Sequence, residues 1–213
     1  MRVITLNQPH MTDKKLPLYL DNTFQSIYGN FGVRLGALFL DALILSPIFI
    51  IITVFNSMRL SNYYYTFIIS QIAILAYYIY LPVRYGATPG KLIMGLTILK
   101  VDGSAISYRE SFLKFLPSLI IGIMGFVLQC YFISLADEET FNSLSWLKQA
   151  NYLKSFSPML LWIEVALMYA FHFSNLIVFI SNQRKRSIGD QLAGTVSVYT
   201  RFLDKLKEEA ITE

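Results

Sequence analysis

Residues 30–55 form one nearly uninterrupted apolar stretch, N-F-G-V-R-L-G-A-L-F-L-D-A-L-I-L-S-P-I-F-I-I-I-T-V-F. A bilayer's hydrocarbon core is crossed by a helix of about 20 mostly apolar residues, so this stretch is long enough to span. In lipid every backbone polar group must be paired internally, which leaves a helix as the conformation open to a single such segment. Arg34 lies near its start and Asp41 well inside it. Each ionised group at bilayer depth costs about 2.5–3.5 kcal/mol on insertion scales, so such residues are partnered or functional. Seven residues is close to two helical turns, which puts Arg34 and Asp41 on one face but about 10 Å apart along the axis. Helical side chains lean toward the N-terminus, so Arg34 leans away from Asp41. Each must find its partner elsewhere in the chain.

The rest of the chain has the same character. Of 213 residues, 54% are hydrophobic and only 15% charged, and the mean hydropathy is +0.48. That is the profile of an integral membrane protein with short loops, and it implies one membrane domain. The net charge of +4 does not point to nucleic acid, because the charges sit beside apolar spans, as topology signals do. The single cysteine, Cys130, excludes an internal disulfide and a thiolate metal cluster. Residues 1–30 are polar, with no secretory signal pattern. No lipidation motif and no internal repeat stands out.

Four spans are predicted, at about 31–55, 63–83, 117–136 and 158–181. Pro47 falls in the second half of the first. Tyr63, Tyr64 and Tyr65 at one end of the second span, and Tyr77, Tyr78, Tyr80 and Tyr85 at the other, suit the aromatic belts of a membrane. Between the second and third spans, Thr88-Pro89-Gly90-Lys91 reads as a turn, Gly95–Val101 as a strand and Asp102-Gly103 as a tight turn. Ser107-x-x-Glu110 has the form of a capping box and opens an amphipathic interfacial helix, Tyr108–Leu116. The segment 137–157 reads as a mixed loop. A second strand is predicted in 194–200, and it should pair with the first, since either alone exposes unpaired backbone. The expected fold is therefore an all-α membrane protein. It has a four-transmembrane-helix bundle, a small cytoplasmic two-stranded β element and an amphipathic interfacial helix. Residues 1–30 form a polar N-terminal segment, 31–200 the membrane domain and 201–213 a charged tail.

Basic residues set the orientation. Arg2, Lys14 and Lys15 precede the first span; Arg84, Lys91, Lys100, Arg109 and Lys114 lie between the second and third; Arg184, Lys185, Arg186, Arg201, Lys205 and Lys207 follow the fourth. Only Arg59, Lys148 and Lys154 fall on the other side. By the positive-inside rule both termini are cytoplasmic, in a multi-pass protein of the cell (inner) membrane.

These residues resemble the RDD family of membrane proteins, named for one arginine and two aspartates. Arg34 and Asp41 match the first two positions. Gly189-Asp190-Gln191-Leu192-Ala193-Gly194-Thr195-Val196 matches the motif that holds the second aspartate. A middle motif is matched by Thr88-Pro89-Gly90-Lys91-Leu92-Ile93-Met94-Gly95-Leu96. The resemblance runs from about Gly32 to Val198. Two positions depart from the pattern: Gly189 stands where members often have His, and Lys114 where Arg is common. The resemblance implies a transport role, with exchange of cations for protons attributed to some members.

Measured from the cytoplasmic ends of the spans at 1.5 Å per residue, Asp41 lies about 15 Å in, His172 about 14 Å and Gln71 about 18 Å. Asn175 lies about 9 Å in and Glu164 about 25 Å. Asp41, His172 and Gln71 are thus expected to form one polar layer. Plainer roles stand beside this: a bundle hydrogen bond for Gln71 or His172, and an outer-mouth position for Glu164. Arg34 and Asp190, both near the cytoplasmic surface, are expected to form a structural ion pair. No enzymatic motif is present. There is no H-E-x-x-H, no G-x-S-x-G and no complete phosphate loop around Gly90-Lys91, and two histidines are too few for a typical histidine metal site. No cofactor or metal is expected.

Two functions follow. One is a small cation/proton antiporter working through Asp41, with monovalent cations and protons as its ligands; a thin four-helix conduit favours a homodimer. The other is a non-transporting scaffold that binds partners through its cytoplasmic face.

Overall fold

The structure, a computed structural model, describes residues 16–19 and 26–206. Helix α1 (Phe31–Asn56) is followed by α2 (Asn62–Leu75), a π-helical turn (Ala76–Tyr80) and α3 (Leu81–Tyr85). Then come α4 (Pro89–Ile93), β1 (Leu96–Lys100) and α5 (Tyr108–Leu135). The chain continues through α6 (Glu138–Ser143), α7 (Trp146–Ser155), α8 (Pro158–Ser181), α9 (Ile188–Leu192) and β2 (Thr195–Tyr199). Phe31–Asn56, Asn62–Tyr85, Tyr108–Leu135 and Pro158–Ser181 are long and apolar enough to cross a membrane.

Three expectations are corrected. The separate amphipathic helix Tyr108–Leu116 does not exist as such: it is the first part of α5, which runs on through Pro117. Proline forfeits one helical hydrogen bond. Ending one helix there and starting another would leave about four carbonyls and four N–H groups to be satisfied. Continuing is the smaller loss. The segment 137–157 is not a loop but mostly α6 and α7. Asp137 starts α6 by accepting the Thr140 N–H at 2.7 Å. The third correction is an internal repeat, described below.

The π turn has a local cause. Pro82 has no N–H to give the Tyr78 carbonyl four residues back. The buried Ser111 hydroxyl instead lies 3.1 Å from the Tyr78 oxygen and 3.2 Å from that of Ile79. The extra residue of the π turn carries Tyr77 into a buried position.

The chain divides into two compact units. One comprises Met1–Ile44, Ala76–Leu116 and Asn175–Glu213; the other comprises Leu45–Leu75 and Pro117–Ser174. In the first, β1 and β2 pair antiparallel, with Leu96 opposite Tyr199, Ile98 opposite Ser197 and Lys100 opposite Thr195. Residues ahead of α1 join them: Gly29 N–H donates to Ser197 O, and Tyr199 N–H to Ile27 O, both at 3.0 Å. Leu99, Val196 and Val198 pack with Leu16, Ile27, Tyr28 and Phe202 on one face. Ile98 packs with Ala87 and Ile106 in a separate cluster. In the second unit, Leu60, Phe132, Ile133, Phe141 and Leu153 form the core, and Gln149 donates to the carbonyls of Ser57 and Phe141, both at 3.1 Å.

The repeat joins Thr88–Lys100 to Ser187–Tyr199. Each copy runs from a hydroxyl N-cap (Thr88, Ser187) through a short helix, α4 or α9, to a left-handed glycine and a strand. Gly95 has φ of 67° and Gly194 of 65°, a region open mainly to glycine. The hydrogen bonds repeat as well. Leu92 N–H donates to Thr88 O, and Gln191 N–H to Ser187 O, both at 2.9 Å. Thr200 N–H donates to Gly95 O at 2.8 Å, and Val101 N–H to Gly194 O at 2.9 Å. The strand register is two-fold symmetric about Ile98 and Ser197. The sequence hides this because only the caps and glycines are shared.

Candidate functional site

The first unit gathers its polar side chains around α4 and α9. Asp41, on α1, is 2% exposed. Its Oδ1 accepts from the Tyr77 hydroxyl at 2.6 Å and the Gly90 N–H at 2.7 Å, and its Oδ2 from the Thr88 hydroxyl at 2.8 Å. All three donors are neutral. They come from the π turn and from the start of α4, so Asp41 clamps the Thr88-Pro89-Gly90 turn onto α1. A Cβ at Gly90 would overlap the Ala37 carbonyl and the Asp41 carboxylate. Close approach of backbone to helix is why glycine stands there.

Asp190, on α9, is 1% exposed. Arg34 Nη1 donates to its Oδ2 at 3.0 Å, and Lys114 Nζ bonds its Oδ1. The Thr195 hydroxyl donates to Oδ1, and the Ser187 hydroxyl to Oδ2, each at 3.0 Å. Asp190 also closes a capping box with Ser187. Burial alone would raise its pKa, but the cations Lys114, Arg34 and Lys91 outweigh burial and hold it well below the usual carboxylate range. Arg34 is fixed further by donation from Nε to Gly29 O at 3.1 Å, and its guanidinium lies 5.0 Å from the Phe179 ring centre. Arg186 braces the turn, donating to the carbonyls of Thr195, Asp190 and Gln191.

Lys91 follows Gly90 on α4 and is partly buried. Its ammonium donates no hydrogen bond to any described residue. Burial first, then the positive charges of Lys114 and Arg34, push its pKa down to about 7; the nearby carboxylates Asp190 and Asp41 oppose this. Lysine in this state gains or loses its proton near neutral pH without breaking a hydrogen bond.

The remaining residues singled out by sequence are placed as follows. Asn175 Oδ1 accepts the Ile188 N–H at 2.8 Å, so it caps the start of α9. Gln71, Glu164 and His172 belong to the second unit, and none is among the hydrogen-bond partners of Asp41. His172 is exposed on α8, with its ring 5.4 Å from that of Phe171. Glu164 lies against Gly125. Sequence reasoning named Lys91 only as a motif residue and missed Tyr77, Thr88 and Lys114 as partners of the aspartates. A hydroxyl N-cap ahead of each short helix was the available signal. Among the described residues no group of three or more His, Cys, Asp or Glu side chains is placed to hold a metal ion.

The RDD family model matches residues 28–194, which takes in every residue of this cluster but Thr195. No curated protein and no solved structure matches the chain.

Proposed function

The chain belongs to the RDD family, whose members are membrane proteins, and from that premise we propose that it is a proton-coupled ion transporter in which Lys91 carries the proton. The observation that supports this is Lys91 itself: a partly buried lysine with no hydrogen bond to any described residue, two carboxylates acting on it and a pKa pushed down to about 7. A group that changes charge at neutral pH inside a membrane protein is the minimum equipment for coupling. Asp41 then has a supporting role, holding the turn on which Lys91 rides. In this reading the excess of basic residues in those segments supports a cytoplasmic position for α4, α9 and both termini. The resemblance suggests exchange of monovalent cations for protons, and that is the form to test first.

Reconstituted proteoliposomes with an internal pH dye, challenged with Na⁺ or K⁺ salts, provide the test. Proton movement that disappears in Lys91→Met is the expected result. Lack of proton movement in the wild-type protein with every salt would favour the second reading, a non-transporting module that holds partners at the cytoplasmic face. That reading has its own support: the oxygens of Asp41 and Asp190 are all held by fixed donors, as in a purely architectural joint.

A further inference from the structure

We propose that Arg34, Lys91 and Lys114 form a binding site for a tetrahedral oxyanion, a phosphate group either free or carried on a lipid headgroup. This rests on reading the Lys91 cluster as the working site and names the class of ligand it takes.

The sign of the charge is the first reason. Arg34, Lys91 and Lys114 all act on Asp190, and Arg186 adds a fourth cation beside Lys114. Asp190 and Asp41 are the carboxylates that act most on Lys91 among the described residues. Asp41 is already met by three neutral donors. The cluster is left with more positive than negative charge.

Presentation is the second reason. The Asp190 side chain is sealed at 1% exposure, whereas those of Arg34 and Lys114 keep 14% and 17%. A solute reaching the cluster meets the cations before the carboxylate. A metal cation arriving there would face like charge and an oxyanion would not, so the ion coupled to Lys91 in this proposal is the oxyanion, in place of the monovalent cation that the family resemblance suggests.

The third reason is unused donors. Among the described residues Arg34 Nη2 is buried with no hydrogen-bond partner, and the ammonium of the partly buried Lys91 has none to donate to. A guanidinium edge beside flexible ammonium groups is the arrangement that suits the spread oxygens of a phosphate. A buried donor such as Arg34 Nη2 is costly unless a ligand satisfies it.

Proton uptake follows from linkage. The charged groups that act on Lys91 are Arg34 and Asp41 of α1, Lys114 of α5 and Asp190 of α9. An anion added to this set stabilises the charged lysine, so binding draws in a proton wherever free Lys91 is mostly neutral.

The full-length protein in dodecyl maltoside micelles, which hold no phosphate, titrated with sulfate by calorimetry in weak buffer, tests this. Sulfate itself does not titrate near neutrality. Sulfate should bind with uptake of about one proton at about pH 8 and far less at about pH 6. Lys91→Met should weaken binding by about tenfold or more and abolish the uptake. Lys91→Arg should keep binding but lose the uptake, because arginine stays charged. Melting of each variant confirms folding. Nanodiscs containing phosphatidylglycerol separate the two sources. Loss of sulfate binding there assigns the site to a lipid phosphate, and unchanged binding assigns it to a free oxyanion. An absence of sulfate binding in the phosphate-free micelles, or equal binding by Lys91→Met, would overturn the proposal. Sulfate binding without proton movement across vesicles would keep this site and remove the transport reading. Proton movement without sulfate binding would do the reverse.

Discussion

Asp41 offers the clearest energetic test of the cluster. Replacement by alanine strands the Tyr77 hydroxyl, the Thr88 hydroxyl and the Gly90 N–H in a site where Asp41 is 2% exposed. An unsatisfied buried donor costs about 1–3 kcal/mol, so three give about 3–9 kcal/mol, less whatever the two hydroxyls recover by rotating. A domain's whole stability is about 5–15 kcal/mol, so Asp41→Ala should fold poorly or not at all. Asp41→Asn differs in a way the geometry specifies. Its amide oxygen can take the place of Oδ1 and still accept from Tyr77 and Gly90. Its amide nitrogen replaces Oδ2 and donates to the Thr88 hydroxyl, which can accept. The loss is then one reversed bond and the charge on the others, about 1–2 kcal/mol. Unfolding of the purified protein in mixed micelles, together with monodispersity on size exclusion, measures both. Asp41→Ala as stable as wild type, or Asp41→Asn as damaged as Asp41→Ala, would refute the clamp. A folded Asp41→Asn that has lost proton movement would return the proton-carrying role from Lys91 to Asp41.

Asp190→Ala should destabilise more than Arg34→Ala, because it leaves both Arg34 and Lys114 without their carboxylate, whereas Arg34→Ala leaves Asp190 bonded to Lys114; equal losses in melting would exclude this arrangement. Gly90→Ala and Gly189→Ala should both lose stability, since each Cβ would overlap a helix carbonyl, that of Ala37 or Lys114; expression and melting report it. The lowered pKa of Lys91 means that the native state disfavours the proton. Stability should therefore rise as pH climbs from about 7 toward the ordinary lysine range, and Lys91→Met should flatten that rise in a pH series of melting curves. Asp190 has the opposite charge and a depressed pKa. Its stabilisation is complete above the usual carboxylate range and is lost as pH falls below it, so Asp190→Asn should flatten the acid limb.

The spans and the strand pair were legible because hydropathy and β-rich runs are local properties. Arg34 and Asp190 could be matched because they carry opposite charges and because Arg34 lies at the start of the first apolar stretch and Asp190 a few residues past the last. Asp41 could not be matched by the same method. Residue counting gives depth along a helix but neither its rotation nor the path of the chain outside it. The true partners, Thr88 and Gly90, lie on α4, which folds back against α1. Tyr77 reaches Asp41 only because the backbone takes a π turn ahead of Pro82. Lys91 gave no signal by itself, since its perturbation comes from burial and from Lys114 on a different helix.

The two copies of the repeat share a backbone but reverse the signs of their charges. In each, a short helix rests its glycine against a carbonyl of a long one: Gly90 on Ala37 of α1, Gly189 on Lys114 of α5. In the first copy the long helix carries the carboxylate, Asp41, and the short helix the base, Lys91. In the second the long helix carries the base, Lys114, and the short helix the carboxylate, Asp190. Positions 91 and 190 are equivalent in the repeat and act on each other. Had both copies kept one residue type, two like charges would sit near the axis and repel. Opposite signs let the halves attract, and Arg34 of the first copy locks onto Asp190 of the second. The same choice leaves the two bases facing each other, and Lys114 is the largest charge effect lowering the pKa of Lys91. A lysine that titrates near neutrality is thus a consequence of how this duplicated fold divides its charges between its halves.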